Sequence, residues 1–199
     1  AIQYIISMHI PLISIVTLPL LLGWNFPNIF SPVHVIFLEL IMGPTCSIVY
    51  ENEPMEKNLM KQPPRKMTDS LFTWSELSRS VIQGFVITCG VMGLFYFLVQ
   101  SGVSETTTRT MVFTTLVLAN ILLTLTGRST NYTLATTIKY KNVLIPIAIG
   151  ITLILLFLSL YFAPMMGLFQ FEEPVMKQLL ICAGVAAVSV LWIDLYKMM

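Results

Sequence analysis

The chain has 199 residues, of which 56% are hydrophobic and 11% are charged, and its formal net charge is +1. Soluble globular proteins carry about 25% charged residues, so this composition excludes a soluble domain and indicates a membrane protein. The small net charge excludes the broad basic surface of a nucleic-acid-binding protein. We therefore expect an all-α fold in a lipid bilayer, with lipid, an ion or other protein as partners and no nucleic acid.

The apolar residues fall into long stretches, and a membrane-spanning helix needs about 20 of them. Six stretches reach or approach that length: residues 1–22, 33–50, 81–99, 110–125, 143–162 and 175–196. Prolines interrupt the first two, which a bundle tolerates because neighbouring helices satisfy the freed backbone groups. The sequence predicts a polytopic bundle of six transmembrane helices. Because the chain begins without Met, a basic segment or a cleavage site, we expect it to start part-way into a helix.

The basic residues are distributed unevenly between the two ends of these helices. Most lie in the second and fourth connections and at the end of the chain: Lys57, Lys61, Arg65, Lys66, Arg79, Arg128, Lys139, Lys141 and Lys197. The connections on the opposite side contain only Arg109 and Lys177. The positive-inside rule then predicts that both termini and the long connection at residues 51–80 face the cytoplasm.

Two ionisable residues, His9 and Glu39, lie at bilayer depth. A charge at a helix centre costs about 2.5–3.5 kcal/mol on insertion scales, so such a group is a functional candidate. Glu39 is about 9 Å beyond Val33 at 1.5 Å per residue, which is too deep to reach the interface easily. A carboxylate at this depth without a partner is expected to be protonated and could carry a proton.

The residues that follow Glu39 predict a helix break. Pro44 cannot donate a backbone hydrogen bond, and Gly43 adopts backbone angles that other residues avoid. The freed carbonyl groups beside Glu39 would be oxygen ligands, as in the broken helices of transporters. We therefore predict a discontinuity at Gly43-Pro44 and a cation site, with Glu39 as the metal ligand, formed by Glu39, His9, Gly43 and Met42. Simple packing of His9 and a structural kink at Pro44 remain alternatives.

Three further polar residues, Asn120, Thr124 and Thr45, are candidates for secondary contacts to the site. Asn120 and Thr124 are one helical turn apart, so they share a face. Polar side chains in membrane helices often form hydrogen bonds across the bundle. A packing role is therefore favoured for Asn120.

Several segments resemble the carboxyl-terminal membrane region of P-type cation-transporting ATPases, in the calcium-pump-like branch. They are IQYIIS before the first stretch, PVHVIFLELIMGPTCSIVYENEP over the second, and KQPPRK, which contains Pro63, Pro64 and Arg65. The resemblance covers residues 1–199 as the fifth to tenth membrane helices. It implies that residues 51–80 contact the phosphorylation domain and couple ATP use to ion movement.

The resemblance also implies which positions face the ion. Glu39 and His9 stand where animal calcium pumps have ligating Asn residues. Leu12 stands where those pumps have a ligating Glu, Gly43 where they have the central Asp of the sixth helix, and Val117 where the eighth helix has a Glu. Because tight calcium sites usually include several carboxylates, the transported cation is calcium or a proton, and two full calcium sites are not expected.

The catalytic half of such a pump is not found in the sequence. There is no DKTGT motif and no nucleotide-binding segment, so we expect no cofactor in this chain and no ATP hydrolysis by the chain alone. The resemblance implies that a parent pump uses ATP and Mg²⁺ through its N-terminal membrane and cytoplasmic domains, in a bacterial plasma membrane. A stand-alone six-helix channel or secondary carrier, and a purely structural membrane domain, are the alternatives.

Overall fold

The computed structural model describes residues 2–44, 48–53, 74–129, 133–137 and 142–197. Within this part of the chain the secondary structure is helical and no strand occurs. The helices are α1 (Ile2–Leu21), α2 (Pro32–Pro44), α3 (Trp74–Gln100), α4 (Glu105–Thr126), α5 (Leu134–Thr137), α6 (Leu144–Tyr161), α7 (Ala163–Phe169) and α8 (Met176–Tyr196). The predicted all-α class is confirmed.

Five of the helices, α1, α3, α4, α6 and α8, are long and apolar enough to cross a membrane. Helix α1 continues through Pro11 and Pro19. Helix α2 is apolar but has 13 residues and ends at Pro44. These features confirm a polytopic membrane helix bundle.

Some of the predicted features lie outside the described residues. They include Thr45 and the residues Pro63, Pro64 and Arg65 of the long connection. Residues 45–47 separate Pro44 from a helical turn at residues 48–51, so the discontinuity at Gly43-Pro44 stays a prediction.

Two long helices begin earlier than hydropathy predicts. Helix α3 begins at Trp74, inside the range 51–80 that the sequence assigns to a connection, because the SELSR segment consists largely of good helix formers. Helix α4 begins at Glu105 because Ser104 caps it, with Ser104 Oγ accepting a hydrogen bond from the Thr107 backbone N–H at 3.2 Å. Polar first turns extend both helices beyond their apolar stretches.

Small residues allow α3 to approach its neighbours closely. A Cβ placed on Gly84 would lie 3.0 Å from the Ser7 carbonyl oxygen of α1. A Cβ on Gly90 would overlap the Ser189 hydroxyl of α8 and lie 3.2 Å from Ser189 Cβ. Since lipid is as apolar as the helix surfaces, such close packing is a main source of association between membrane helices.

Replacing Gly90 with Ala should therefore destabilise the bundle. Overpacking of this kind costs about 1–3 kcal/mol, so we expect a fall of several degrees in the Tm of the detergent-solubilised protein. Gly93→Ala is the matched control on the same helix, because an added Cβ there meets no atom within 4 Å. Equal Tm values for the two variants would contradict the close contact between α3 and α8.

Candidate cation site

The side chains of His9 on α1 and Glu39 on α2 meet between the two helices, with 3.1 Å between His9 Nε2 and Glu39 Oε1. Both line a cavity of about 380 Å³. Its other lining residues are Tyr4, Ile5, Met8, Met42 and Gly43. The structure therefore brings together the four residues for which the sequence predicts cation binding, and the binding itself stays a prediction.

The contact between His9 and Glu39 requires a proton. His9 Nδ1 lies 2.8 Å from the Ile5 carbonyl oxygen, which can only accept, so Nδ1 carries a hydrogen. Nε2 then faces Glu39 Oε1 either as the donor of an imidazolium or as the acceptor from a protonated carboxyl group. Without a shared proton, two lone pairs would face each other across 3.1 Å. The geometry of the pair therefore fits one shared proton.

The pair lies at the edge of the bundle. The exposed fractions of the His9 and Glu39 side chains are 38% and 44%, whereas the neighbouring Leu38 and Ile41 are buried. Glu39 thus differs from the sequence expectation of a buried carboxylate without a partner. The cavity opens to one side, where a further segment can contact both groups.

Space for an additional side chain exists next to Glu39. A Cβ placed on Gly43 meets no atom of the described residues within 4 Å, although Met42 beside it is buried. Gly43, at which the resemblance implies an acidic residue, therefore has space for a side chain but provides no carboxylate.

The described residues provide only part of a metal coordination shell. Among them, no group of three or more His, Cys, Asp or Glu side chains could hold a metal ion. Calcium takes six to eight oxygen ligands, so His9 and Glu39 require further ligands from backbone carbonyls, water or other segments.

Asn120 of α4 is connected to the cavity wall through Tyr4. The Tyr4 hydroxyl donates a hydrogen bond to Asn120 Oδ1, and Tyr4 lines the cavity. The Thr124 hydroxyl donates to the Asn120 carbonyl of its own helix at 2.8 Å. Asn120 thus bonds across the helices, whereas the Thr124 hydroxyl bonds within α4. Val117 is buried in the apolar core and brings no polar group to this region.

His34 is a buried ionisable residue that the hydropathy pattern does not single out, because it lies near the start of an apolar stretch, whereas His9 and Glu39 lie at bilayer depth. Its side chain is almost completely buried. Nδ1 accepts a hydrogen bond from the Ser31 backbone N–H at 3.2 Å, and Nε2 donates to the Phe169 carbonyl at 2.9 Å. Four aromatic rings surround the imidazole: Phe30, Phe113, Phe169 and Phe171. A Ser three residues before His34, at the start of a helix, is the sequence signal for this arrangement.

Arg109 is likewise buried, although the sequence analysis counts it among the residues of an outer connection. Its Nε donates to the Ile29 carbonyl at 2.7 Å, and its Nη1 donates to Gln170 Oε1 at 3.0 Å. Nη2 donates to the Glu105 carboxylate one turn earlier on α4. Arg109 therefore joins α4 to the connection after α1 and to the end of α7. The spacing of Glu105 and Arg109 in ETTTR is the sequence signal for this pair.

Comparison with known proteins identifies the family. The family described as "Cation transporting ATPase, C-terminus" matches residues 27–199. The chain belongs to this family. The resemblance found in the sequence, to the carboxyl-terminal membrane region of a P-type ATPase, is confirmed.

Relatives of the chain come from animals, a fungus and a bacterium. The "Calcium-transporting ATPase type 2C member 1" of Homo sapiens is 24% identical over 186 residues, covering 94% of this chain and 20% of the relative. The "Calcium-transporting ATPase 1" of Schizosaccharomyces pombe is 24% identical, covering 97% of this chain and 21% of the relative. The "Calcium-transporting ATPase 1" of Lactococcus lactis is 26% identical, covering 99% and 22%. The chain therefore spans about a fifth of the length of these relatives.

Glu172, in the connection between α7 and α8, is expected to make the stability of the protein depend on pH. The hydroxyl groups of Thr107, Thr106 and Ser104 donate hydrogen bonds to Glu172 Oε2 and lower the pKa of this carboxyl group. A lowered folded-state pKa stabilises the protein above the ordinary Glu pKa of about 4.3. That stabilisation is lost as the pH falls through the lowered value.

We therefore expect Glu172→Gln to reduce the Tm slightly at neutral pH and to flatten the fall in Tm on acidification below about pH 5. Glu173→Gln is the control, because Glu173 is the adjacent exposed carboxylate. A Tm measured against pH that falls equally steeply in both variants would contradict the role of the three hydroxyl groups.

Proposed function

We propose that this chain is the membrane part of an ATP-driven cation pump and that His9 and Glu39 bind the transported cation. The observation that carries the proposal is the contact between His9 Nε2 and Glu39 Oε1 in a cavity also lined by Met42 and Gly43. Membership of the cation-transporting ATPase family and the calcium-transporting names of the relatives support cation movement. Calcium and the proton are the two candidate ions.

Binding of a metal cation at this pair releases a proton. Glu39 Oε1 would hold the cation and supply its negative charge, His9 Nε2 would face it with its lone pair, and the shared proton would leave to water. A pump that moves only protons would use the same pair without a metal. The affinity of the site for a metal cation then depends on pH, because metal and proton compete for the same two atoms.

The remaining parts of the pump complete the proposal. ATP and Mg²⁺ act in cytoplasmic domains beyond this chain, and the chain alone does not hydrolyse ATP. An N-terminal membrane helix covers the open side of the His9–Glu39 cavity and supplies further ligands. Residues 51–80, including Pro63, Pro64 and Arg65, couple the phosphorylation domain to the membrane helices. The protein lies in a bacterial plasma membrane with both termini of this chain in the cytoplasm.

Glu39→Gln tests the role of the carboxylate in the full-length protein. Gln preserves the size of the side chain but removes its charge and its proton exchange. We expect cation-stimulated phosphorylation from ATP to be abolished or to require at least about tenfold more cation, which corresponds to about 1.4 kcal/mol of binding free energy. The pH dependence of the stimulation should disappear as well.

Glu173→Gln is the matched control, because it removes an exposed carboxylate that lies outside the helices. This control should show the wild-type cation and pH dependence. Unchanged cation-stimulated phosphorylation in Glu39→Gln, with normal expression and folding, would contradict the proposal.

Gly43→Asp distinguishes calcium from the proton. The position has room for a side chain, and a second carboxylate beside Glu39 adds the negative charge that tight calcium sites contain. If calcium is the ion, the calcium concentration for half-maximal phosphorylation should fall several-fold. The control is Gly43→Asn, which has a similar shape but no charge. If phosphorylation depends on the calcium concentration identically in the Asp and Asn variants, calcium does not bind beside Gly43.

A further inference from the structure

A second cavity, of about 80 Å³, lies where the beginnings of α1 and α3 meet the ends of α4 and α8. Its walls include Ser7 and the side chains of Arg79, Gln83, Tyr196 and Lys197. Its lining within the described part of the chain contains two cationic residues and no Asp or Glu. The cavity has room for more than one ordered water molecule.

Arg79 has no anionic partner among the described residues. Its guanidinium lies over the ring of Tyr196, with Cζ 5.7 Å from the ring centroid. Nε is buried and forms no hydrogen bond within the described part of the chain. A buried N–H donor without a partner is unfavourable. An anionic ligand would remove that cost.

Lys197, the other cation of the cavity, is already compensated. Its Nζ donates to the Thr126 and Ser129 carbonyl groups at 2.6 and 2.8 Å. It also lies 3.7 Å from Asp194 Oδ1. The positive charge available to a ligand is therefore concentrated at Arg79.

The side chain of Gln83 provides a hydrogen-bond acceptor, unpaired within the described residues, in the wall of the same cavity. The residue is 1% exposed, and its Nε2 donates to the Ser189 carbonyl at 3.3 Å. Its Oε1 has no hydrogen-bond partner among the described residues. A ligand that satisfies both groups must carry an anion for Arg79 and an N–H or O–H donor for Gln83.

The position of the cavity favours a lipid as the source of this anion. Exposed apolar residues stand next to lining residues in both helices, at Val81 and Ile82 between Ser80 and Gln83 and at Leu195 before Tyr196, and can contact an acyl chain. The guanidinium fork is suited to phosphate oxygens. The positive-inside rule predicts that this end of the bundle is cytoplasmic, where anionic lipids attract basic residues.

We propose that this cavity binds the phosphate of a glycerophospholipid through Arg79, and that the headgroup also donates a hydrogen bond to Gln83. Phosphatidylethanolamine and phosphatidylglycerol have the required donor next to the phosphate, whereas phosphatidylcholine lacks it. Tyr4 lines both this cavity and the His9–Glu39 cavity, but the two cavities have no charged residue in common. Occupancy of the lipid site can be measured without transport activity.

The test uses the full-length protein in detergent and measures the Tm while short-chain dihexanoyl phosphatidylglycerol is added below its critical micelle concentration. We expect a saturable rise in Tm for the wild type. Arg79→Gln should raise the lipid concentration at the midpoint at least about tenfold. Lys177→Gln, which removes one exposed cation from the opposite end, should retain the wild-type midpoint. Arg79→Lys should give an intermediate value, and it provides a second test if the Gln variant does not fold.

Two further titrations distinguish the ligand. Dihexanoyl phosphatidylcholine should require a higher concentration than phosphatidylglycerol, because its headgroup has no donor for Gln83. Inorganic phosphate alone should not raise the Tm. An equal effect of the two lipids would overturn the role of the donor, and saturation by inorganic phosphate would overturn the lipid assignment. Equal midpoints for Arg79→Gln and Lys177→Gln would overturn the proposal as a whole.

Discussion

The position of α2 depends on the hydrogen bonds of one buried guanidinium group. A buried Arg is stable only when its donors are satisfied, and Arg109 uses the carbonyl group of Ile29, the side chain of Gln170 and the carboxylate of Glu105. Ile29 lies just before α2, so this interaction fixes where the helix enters the bundle. His34 then fixes the first turn through its hydrogen bond to the Phe169 carbonyl.

This arrangement explains how a short helix can present a functional group. With 13 residues, α2 has less apolar surface with which to fix its orientation than the five long helices. Polar contacts and aromatic packing at its beginning provide the orientation instead. Glu39 lies little more than one turn beyond His34, so its approach to His9 follows from contacts at the end of the bundle. The Tyr4–Asn120 hydrogen bond adds a connection from the same cavity to α4.

The sequence is sufficient to predict the long apolar helices and the two residues that meet in the candidate site. Long apolar stretches determine the spans, and an ionisable residue within such a stretch is conspicuous, so His9 and Glu39 could be found without coordinates. Their direct contact could not be predicted, because it depends on how α1 and α2 are rotated relative to each other. His34 and Arg109 were missed for a related reason. Both are near predicted helix ends, where water is an adequate partner, and only the folded chain shows that protein carbonyl groups replace it.

The boundaries show a second limit of sequence reasoning. Hydropathy detects the part of a helix that contacts lipid or core, whereas α3 and α4 continue into polar turns that are stabilised locally. The Ser104 cap accounts for the start of α4. The short helix α7 is not marked by composition either, since Ala163–Phe169 resembles an interfacial loop until its contacts with His34 and α2 are known.

The proposed exchange of a cation for one proton shared by His9 and Glu39 has an electrical consequence. If a divalent cation replaces that proton, the occupied site gains one positive charge rather than two. Moving one elementary charge through a membrane potential of 100 mV requires about 2.3 kcal/mol. If the proton moves in the opposite direction, the electrical work for each divalent ion is therefore halved. The pH difference across the membrane then contributes to the free energy of transport in addition to the voltage.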